Sequence, residues 1–349
     1  MPGTWISQNK IIPGAYINFL TNAPLSITPG DRGTVVLLQE MSVGAAGKMY
    51  MITATDTSQY PEGVTAADKL LVNEALKGAR TVIIYNLGTA AHVAADIETA
   101  LAALKTIEFD VLVYPYDGVT YDAIKPTIAS WINAMRHDEG VKVQGVLANE
   151  VADSEAIINV TQGVELSDGT TLTAAQATAW VGGVTAGANV NQSNTGRKYV
   201  SAVDVVPRMT KTEMEAAITG GEFIFKVDSA QNVTVVYDIN SLTTTTVDKG
   251  AQLKKNRVIR TIDSINNDIV KIFESNYVGK INNNADGRSL LRATMIEYFG
   301  ELQRLAAIQN FAAEDVVITK GTASDAVVVD CYIQPVDSVE KIYITVALS

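Results

Sequence analysis

The side chains best suited to chemistry are few: two histidines, His92 and His137, one cysteine, Cys331, and paired acids such as Asp117 and Asp122. A catalytic metal would need ligands at a spacing such as HExxH, and neither histidine sits in such a pattern. His92 opens a helix-like stretch, while His137 follows Arg136 at the end of another, where a cation complements the helix dipole. Asp117 and Asp122 lie near strand ends, where α/β enzymes place catalytic groups, but the sequence brings no nucleophile and base together there. Asn282-Asn283-Asn284-Ala285-Asp286-Gly287 fits a calcium loop at its third, fifth and sixth positions. Its first position is Asn282 and its twelfth falls on Ala293, so the segment reads as a turn of αL-tolerant residues leading into a helix. There is no GxxxxGK[ST] loop, and no GxGxxG follows a predicted strand. The expectation is therefore no catalytic, cofactor-binding or metal-ligating residue and no cofactor; an enzyme reading would rest on fold analogy alone.

Composition points the same way. The chain has 349 residues, 47% hydrophobic and 19% charged, enough for two or three domains with cores of their own and too apolar for a disordered chain. Its formal charge of -11 has the wrong sign for gripping a phosphate backbone, so no nucleic-acid partner is expected. Residues 249–304 carry +4, leaving -15 for the rest, which reads either as two solvated helical faces or as a cationic face for an acidic protein. No apolar run approaches the roughly 20 residues needed to span a bilayer, so membrane insertion is not expected. Met1–Lys10 lacks the basic-then-apolar pattern of a secretory signal, and folding in the cytoplasm is the expectation. Cys331, in the apolar run Ala326–Ile333, reads as a small buried hydrophobe.

The elements follow from periodicity. Pro2, Gly3, Pro13 and Gly14 surround the apolar stretch Ala15–Leu20, which suits an extended arm. Short β-prone stretches from Gly33 to Tyr60 predict a small β-rich module. Thr81–Tyr85, Phe109–Tyr114 and Val141–Leu147 are strand-like and alternate with two helical stretches, predicting βαβαβ units with a parallel sheet. Ile157–Leu172 predicts a hairpin turning at Asp168-Gly169, followed by an Ala- and Gly-rich helix from about Thr173 to Gly187. Phe223–Val227 pairs with Val233–Tyr237, and two amphipathic helices carry Val258 to Phe273 and Leu291 to Ile308. At the C-terminus Ile342, Ile344, Val346 and Leu348 alternate with Tyr343, Thr345 and Ala347, a strand with no charge or proline to blunt its edge. Its partner is either Asp325–Ile333 of the same chain or the sheet of another chain.

Several segments also resemble a known family. Pro13-Gly14-Ala15-Tyr16-Ile17-Asn18 is similar to the PGVYxxE/N opening of contractile-tail sheath proteins, with Arg32-Gly33-Thr34-Val35 at the place of that family's early strand. Ala179-Trp180-Val181-Gly182-Gly183-Val184-Thr185-Ala186-Gly187, followed by Val203-Asp204-Val205, resembles the family's small-residue helix and next strand. Tyr237-Asp238-Ile239-Asn240-Ser241-Leu242-Thr243 resembles its DINTLT segment. Asn256-Arg257-Val258-Ile259-Arg260-Thr261-Ile262-Asp263 and Tyr277-Val278-Gly279-Lys280-Ile281-Asn282-Asn283 then occur in the family's order. The style is that of the shorter sheaths of Gram-positive phages and defective prophages.

The resemblance implies a fold class: an α/β sheath domain of subtilisin-like fold without its triad, an α+β C-terminal domain, a small N-terminal β-rich module and extended arms. The expected boundaries are 1–20 for the N-terminal arm, 21–80 for the module, 81–236 for the α/β domain, 237–336 for the C-terminal domain and 337–349 for the C-terminal arm. It also implies a role as a structural subunit, assembled in the host cytoplasm into a virion tail or phage-tail-like particle. Such subunits stack as hexameric rings on an inner tube, with a baseplate and a tail terminator as further partners, and contract to drive the tube through an envelope. Arm residues Tyr16, Ile17, Phe19, Ile342, Ile344, Val346 and Leu348 would join neighbouring copies, and Lys254, Lys255 and Arg257 would face the tube. The alternatives are the sheath of a related secretion apparatus and, more distantly, a soluble α/β enzyme.

Overall fold

A computed structural model describes residues 32–247 and 249–346. The expected N-terminal arm with Tyr16, Ile17 and Phe19, and Leu348 at the other end, lie outside these residues. The described residues up to Asn267, with those from Pro335 onward, form one compact unit, and Asp268–Gln334 form a second.

The first unit opens with β1 (Thr34–Gln39), β2 (Met49–Thr53), α1 (Ala66–Leu76), β3 (Thr81–Asn86), α2 (Ala94–Leu104), β4 (Val111–Val113), α3 (Val119–Asp122), α4 (Lys125–His137), β5 (Gln144–Ala148) and β6 (Ile157–Val160). It continues with β7 (Gly163–Leu166), β8 (Thr171–Leu172), α5 (Ala174–Ala186), β9 (Ala202–Val206), α6 (Lys211–Thr219), β10 (Glu222–Phe223), β11 (Phe225–Val227) and β12 (Val233–Val235). Seven strands form one sheet in the order β10-β6-β5-β4-β1-β3-β2, parallel except where β2 runs against β3.

The strands read as unbroken apolar runs because both faces of the sheet are covered. Val35 and Leu37 of β1 point into a core with Val72, Ala75, Trp180 and Val184 of α1 and α5. Val36 and Leu38 point the other way, onto Ile97 and Leu101 of α2 and Ile128 and Ile132 of α4. Each such side chain removed from water contributes about 1.5–3 kcal/mol.

Two expectations change here. β1 and β2, assigned by sequence to a separate module over 21–80, belong to the main sheet, with β1 paired to both β3 and β4. A boundary at 80 would cut through a strand pairing that local pattern cannot reveal, because β1 and β4 are more than seventy residues apart. Likewise the expected hairpin over 157–172 divides: Ile157–Val160 joins the main sheet, while β7 and β8 form the hairpin, with Gly169 at φ 85° in its turn. β11 and β12 pair antiparallel as expected.

The small residues of α5 exist for close approach. A Cβ on Gly183 would lie 2.1 Å from the Ala75 carbonyl oxygen, and one on Gly182 2.2 Å from Val113 Cγ2. The same helix brings Trp180 flat against Tyr199, ring centres 4.2 Å apart. At the start of α1, Thr65 and Asp68 form a capping box, and Asp68 also accepts from the Ser42 amide at 2.8 Å. Burial would raise the Asp68 carboxyl, but its hydrogen bonds from Ser42 and Thr65 outweigh that and hold it at about 2.

The second unit contains the end of α7 (Asn256–Ile272), all of α8 (Ala285–Arg304), and an antiparallel hairpin of Val316–Lys320 with Val327–Cys331. α8 buries Leu291, Met295, Tyr298, Phe299 and Leu302, and Tyr298 donates to Asp268 at 2.8 Å. Asn284 caps α8 by accepting from the Gly287 amide, the turn-and-helix role expected of this segment. Cys331 is only half-buried at the end of the hairpin, because this two-stranded sheet leaves one face to solvent.

Gly183→Ala should lose about 1–3 kcal/mol of stability, since the obstruction is backbone that cannot rotate away. Gly300→Ala, with nothing within 4 Å of its new methyl, should be neutral or stabilising by up to about 1 kcal/mol; thermal denaturation compares them. Because the folded-state pKa of Asp68 is depressed, its contribution is complete above pH 4 and should disappear as pH falls through about 2. Asp68→Asn should lack that part of the acid-unfolding profile.

Candidate assembly site

The crevice where an α/β enzyme would bind a ligand lies at the carboxyl ends of β1 and β4, where strand order reverses. Here side chains satisfy one another. Buried His92 has Nδ1 2.7 Å from Glu40 Oε1 and Nε2 2.8 Å from the Tyr114 hydroxyl, and Tyr121 stacks on its ring at 4.7 Å. Burial pushes the Tyr114 hydroxyl well above the usual phenol range. Beside β5, fully buried Lys125 donates to Asp117, to Asp122 at 2.7 Å and to the Ala148 carbonyl at 2.7 Å. Burial would raise Asp117, but hydrogen bonds from Lys125 and Asn149 outweigh it and hold the carboxyl below its ordinary value. The acids marked by sequence thus neutralise a buried ammonium. Among the described residues no group of three or more His, Cys, Asp or Glu could hold a metal.

A second polar cluster gathers the Tyr237–Thr243 segment and the start of α7. Buried Asp238 accepts from the Asn194 amide and from Asn256 Nδ2, both at 2.9 Å. Arg260, fully buried, lies 3.7 Å from Asp238 and donates to the Gln192 carbonyl at 2.6 Å and the Thr185 carbonyl at 3.2 Å. Burial pulls the Arg260 guanidinium down to about 10, which leaves it charged at neutral pH and dependent on these partners. Asn240 Nδ2 donates to the Leu253 carbonyl, and Ser241 exchanges hydrogen bonds with Ser154. Further along α7, Asp263 receives a two-pronged bond from Arg136 at 2.6 and 2.8 Å, joining α7 to α4. This segment therefore fixes the start of α7 to the sheet.

The three cations expected to face a tube have partners in their own chain. Lys254 donates to the Thr243 carbonyl at 3.0 Å. Lys255 pairs with Glu340 and with Asp337 at 3.3 Å, and its ammonium lies 4.1 Å from the centre of the Tyr237 ring. Arg257, buried, donates to the Ser338 hydroxyl at 2.7 Å. Burial disfavours the charge on Lys255, but its contacts with Glu340, Tyr237 and Asp337 outweigh it and raise its pKa. The sequence missed this because the matching acids lie some eighty residues away. The available signal was Asp337-Ser338-Val339-Glu340, an acidic stretch immediately before an apolar alternating strand.

Beyond Glu340 the chain changes character. Residues 341–346 join no strand among the described residues, and Ile342, Tyr343, Ile344 and Val346 are each at least 74% exposed. The mate offered by the sequence, Asp325–Ile333, is instead paired with Val316–Lys320. That hairpin is itself a sheet of two strands with Val317, Val328 and Val329 exposed. A cleft of about 630 Å³ in the second unit is lined by Tyr277, Lys280, Asn283 and Arg288, from the segment singled out by resemblance and the helix after it.

Comparison with known proteins matches these features to a family. The phage tail sheath protein central domain matches residues 90–241, the phage tail sheath C-terminal domain 248–349, and the tail sheath protein Gp18 domain III N-terminal region 32–87. The chain belongs to the phage tail sheath protein family. It is 38% identical over 298 residues to the phage-like element PBSX protein XkdK of Bacillus subtilis, covering 82% of this chain and 62% of that protein. The sheath tail protein of Desulfitobacterium hafniense superposes with a TM-score of 0.84 at 34% identity, covering 95% of this chain and 99% of the other. The helical sheath of the anti-feeding prophage in its contracted state shares the fold, with a TM-score of 0.74 at 17% identity over 97% and 99% of the two chains.

Asp238→Ala should destabilise the protein by about 3–5 kcal/mol, because it strips a buried guanidinium of its counter-charge. Denaturant unfolding measures this; a cost near zero would mean that the carbonyls of Thr185 and Gln192 suffice.

Proposed function

We propose that the chain is the structural subunit of a contractile tail sheath, polymerising as stacked hexameric rings around an inner tube and shortening to drive that tube through a cell envelope. The observation that carries this reading is the exposed alternating segment 341–346, a strand-forming sequence without a strand partner. Membership of the sheath family and a fold shared with a contracted sheath support it. The crevice that would serve an enzyme is occupied by His92, Glu40 and Tyr114, which favours a structural role.

In this reading the C-terminal segment adds to the two-stranded hairpin of a neighbouring copy, and the N-terminal arm with Tyr16, Ile17 and Phe19 acts alongside it. Each backbone hydrogen bond so formed is worth about 0.5–1.5 kcal/mol net, and burial of Ile342, Ile344 and Val346 adds about 1.5–3 kcal/mol apiece. Because donor and acceptor differ, the contact is head-to-tail and propagates into a helix. The three-layer unit is then the subtilisin-like body that rotates rigidly while the arms keep neighbours joined. A baseplate and a terminator would bound the polymer, and the finished particle would be a phage tail or phage-tail-like device.

Negative-stain electron microscopy of the purified chain at rising concentration should show striated hollow tubes, and a chain ending at Val336 should form none. Compact particles from the full chain with the tube protein present would contradict the reading.

A further inference from the structure

Resting on the sheath reading, the cluster around Lys255 assigns a separate job to the residues just before the arm. Lys255 and Arg257 stand at the beginning of α7, where the helix dipole disfavours cations. Asp337 and Glu340 supply the missing negative charge. Glu340, whose side chain is 7% exposed, pairs with Lys255 and accepts from Thr195 Oγ1 at 2.6 Å and Ser193 Oγ at 3.2 Å. Thr195 Oγ1 in turn accepts from the Asp238 amide at 2.9 Å, so the clasp is tied directly to the buried polar cluster that positions α7. One residue later Lys341 is exposed, as is the chain through Val346.

We propose that Lys255, Arg257, Ser193 and Thr195 form a built-in receptor for the acidic stretch Asp337–Glu340 of the same chain, clamping the root of the C-terminal arm so that only residues after Glu340 pass to a neighbour. The clasp makes the Glu340-Lys341 junction the pivot of the arm. A subunit that rotates during contraction then carries the arm root with it, and the change of direction is absorbed in a few residues beyond the clamp. A free arm would have to be recaptured; a rooted one presents its strand at a fixed origin, which raises its effective concentration at the next subunit. The same arrangement explains why the positive balance of 249–304 does not produce a free cationic face at Lys255 and Arg257.

The test uses the unassembled 349-residue chain and a glutamate-specific endoproteinase, following loss of residues 341–349 by mass spectrometry. Cleavage after Glu340 requires the clasp to open, so it should be slow in the unaltered protein and at least about tenfold faster in Lys255→Glu. Lys254→Gln, outside the clasp, should match the unaltered protein. Equal rates in Lys255→Glu and the unaltered chain would overturn the proposal. Should Lys255→Glu fail to fold, the charge exchange Lys255→Glu with Glu340→Lys decides on the unassembled chain: recovery of folding supports the clasp, and no recovery overturns it. Because cleavage is read on unassembled protein, it separates this proposal from the sheath reading, which stands or falls on whether tubes form.

Discussion

A β-strand edge exposes one amide and one carbonyl at every second residue, and such groups are most stable when another strand answers them. Residues 341–346 have the alternation of a strand and no partner strand among the described residues. Much else follows from that unmet demand. The segment must be presented outward, so its root has to be held, and Lys255 and Arg257 hold it through Asp337, Ser338 and Glu340. Those cations must in turn be positioned, and the Asp238 cluster does so by fixing the beginning of α7 against the sheet. A hairpin of two strands, with its valines exposed, supplies the complementary shortage elsewhere on the chain.

The buried charges show how the body is held in one arrangement. Lys125, Arg136 and Arg260 are all buried, and each is answered by carboxylates or carbonyls of its own chain. Such pairs add little net stability against an apolar alternative, but they are costly to break singly, which favours one arrangement over many. The body therefore has reasons to move as a rigid unit. His92, Glu40 and Tyr114 fill the crevice at the strand-order reversal with mutual hydrogen bonds, where a ligand would otherwise sit.

Local pattern carried the α/β repeat, the Asp168-Gly169 turn and the two long helices, because apolar periodicity records which faces are buried. It did not place β1 between β3 and β4, since its pairing with β4 joins residues more than seventy apart. The alternation at 342–346 was legible, and the absence of a mate for it among the described residues was not: Asp325–Ile333 looked equally suitable until Val316–Lys320 took it. Lys255 and Arg257 were legible as special, but the partners they have within the chain were not, because Asp337 and Glu340 lie some eighty residues away. A run of cations reads as a surface for an outside partner unless the distant acids that neutralise it are known.

The central claim is that the C-terminal segment of one copy pairs with the hairpin of another. The most direct measurement is site-directed disulfide cross-linking in assembled tubes, combining Ile344→Cys with the native Cys331 or with Val317→Cys. Oxidation should produce a ladder of covalent dimers, trimers and higher species that depends on assembly and disappears when the chain ends at Val336. Tubes that form normally yet give no intermolecular cross-link at any hairpin position would contradict strand exchange as the link between subunits.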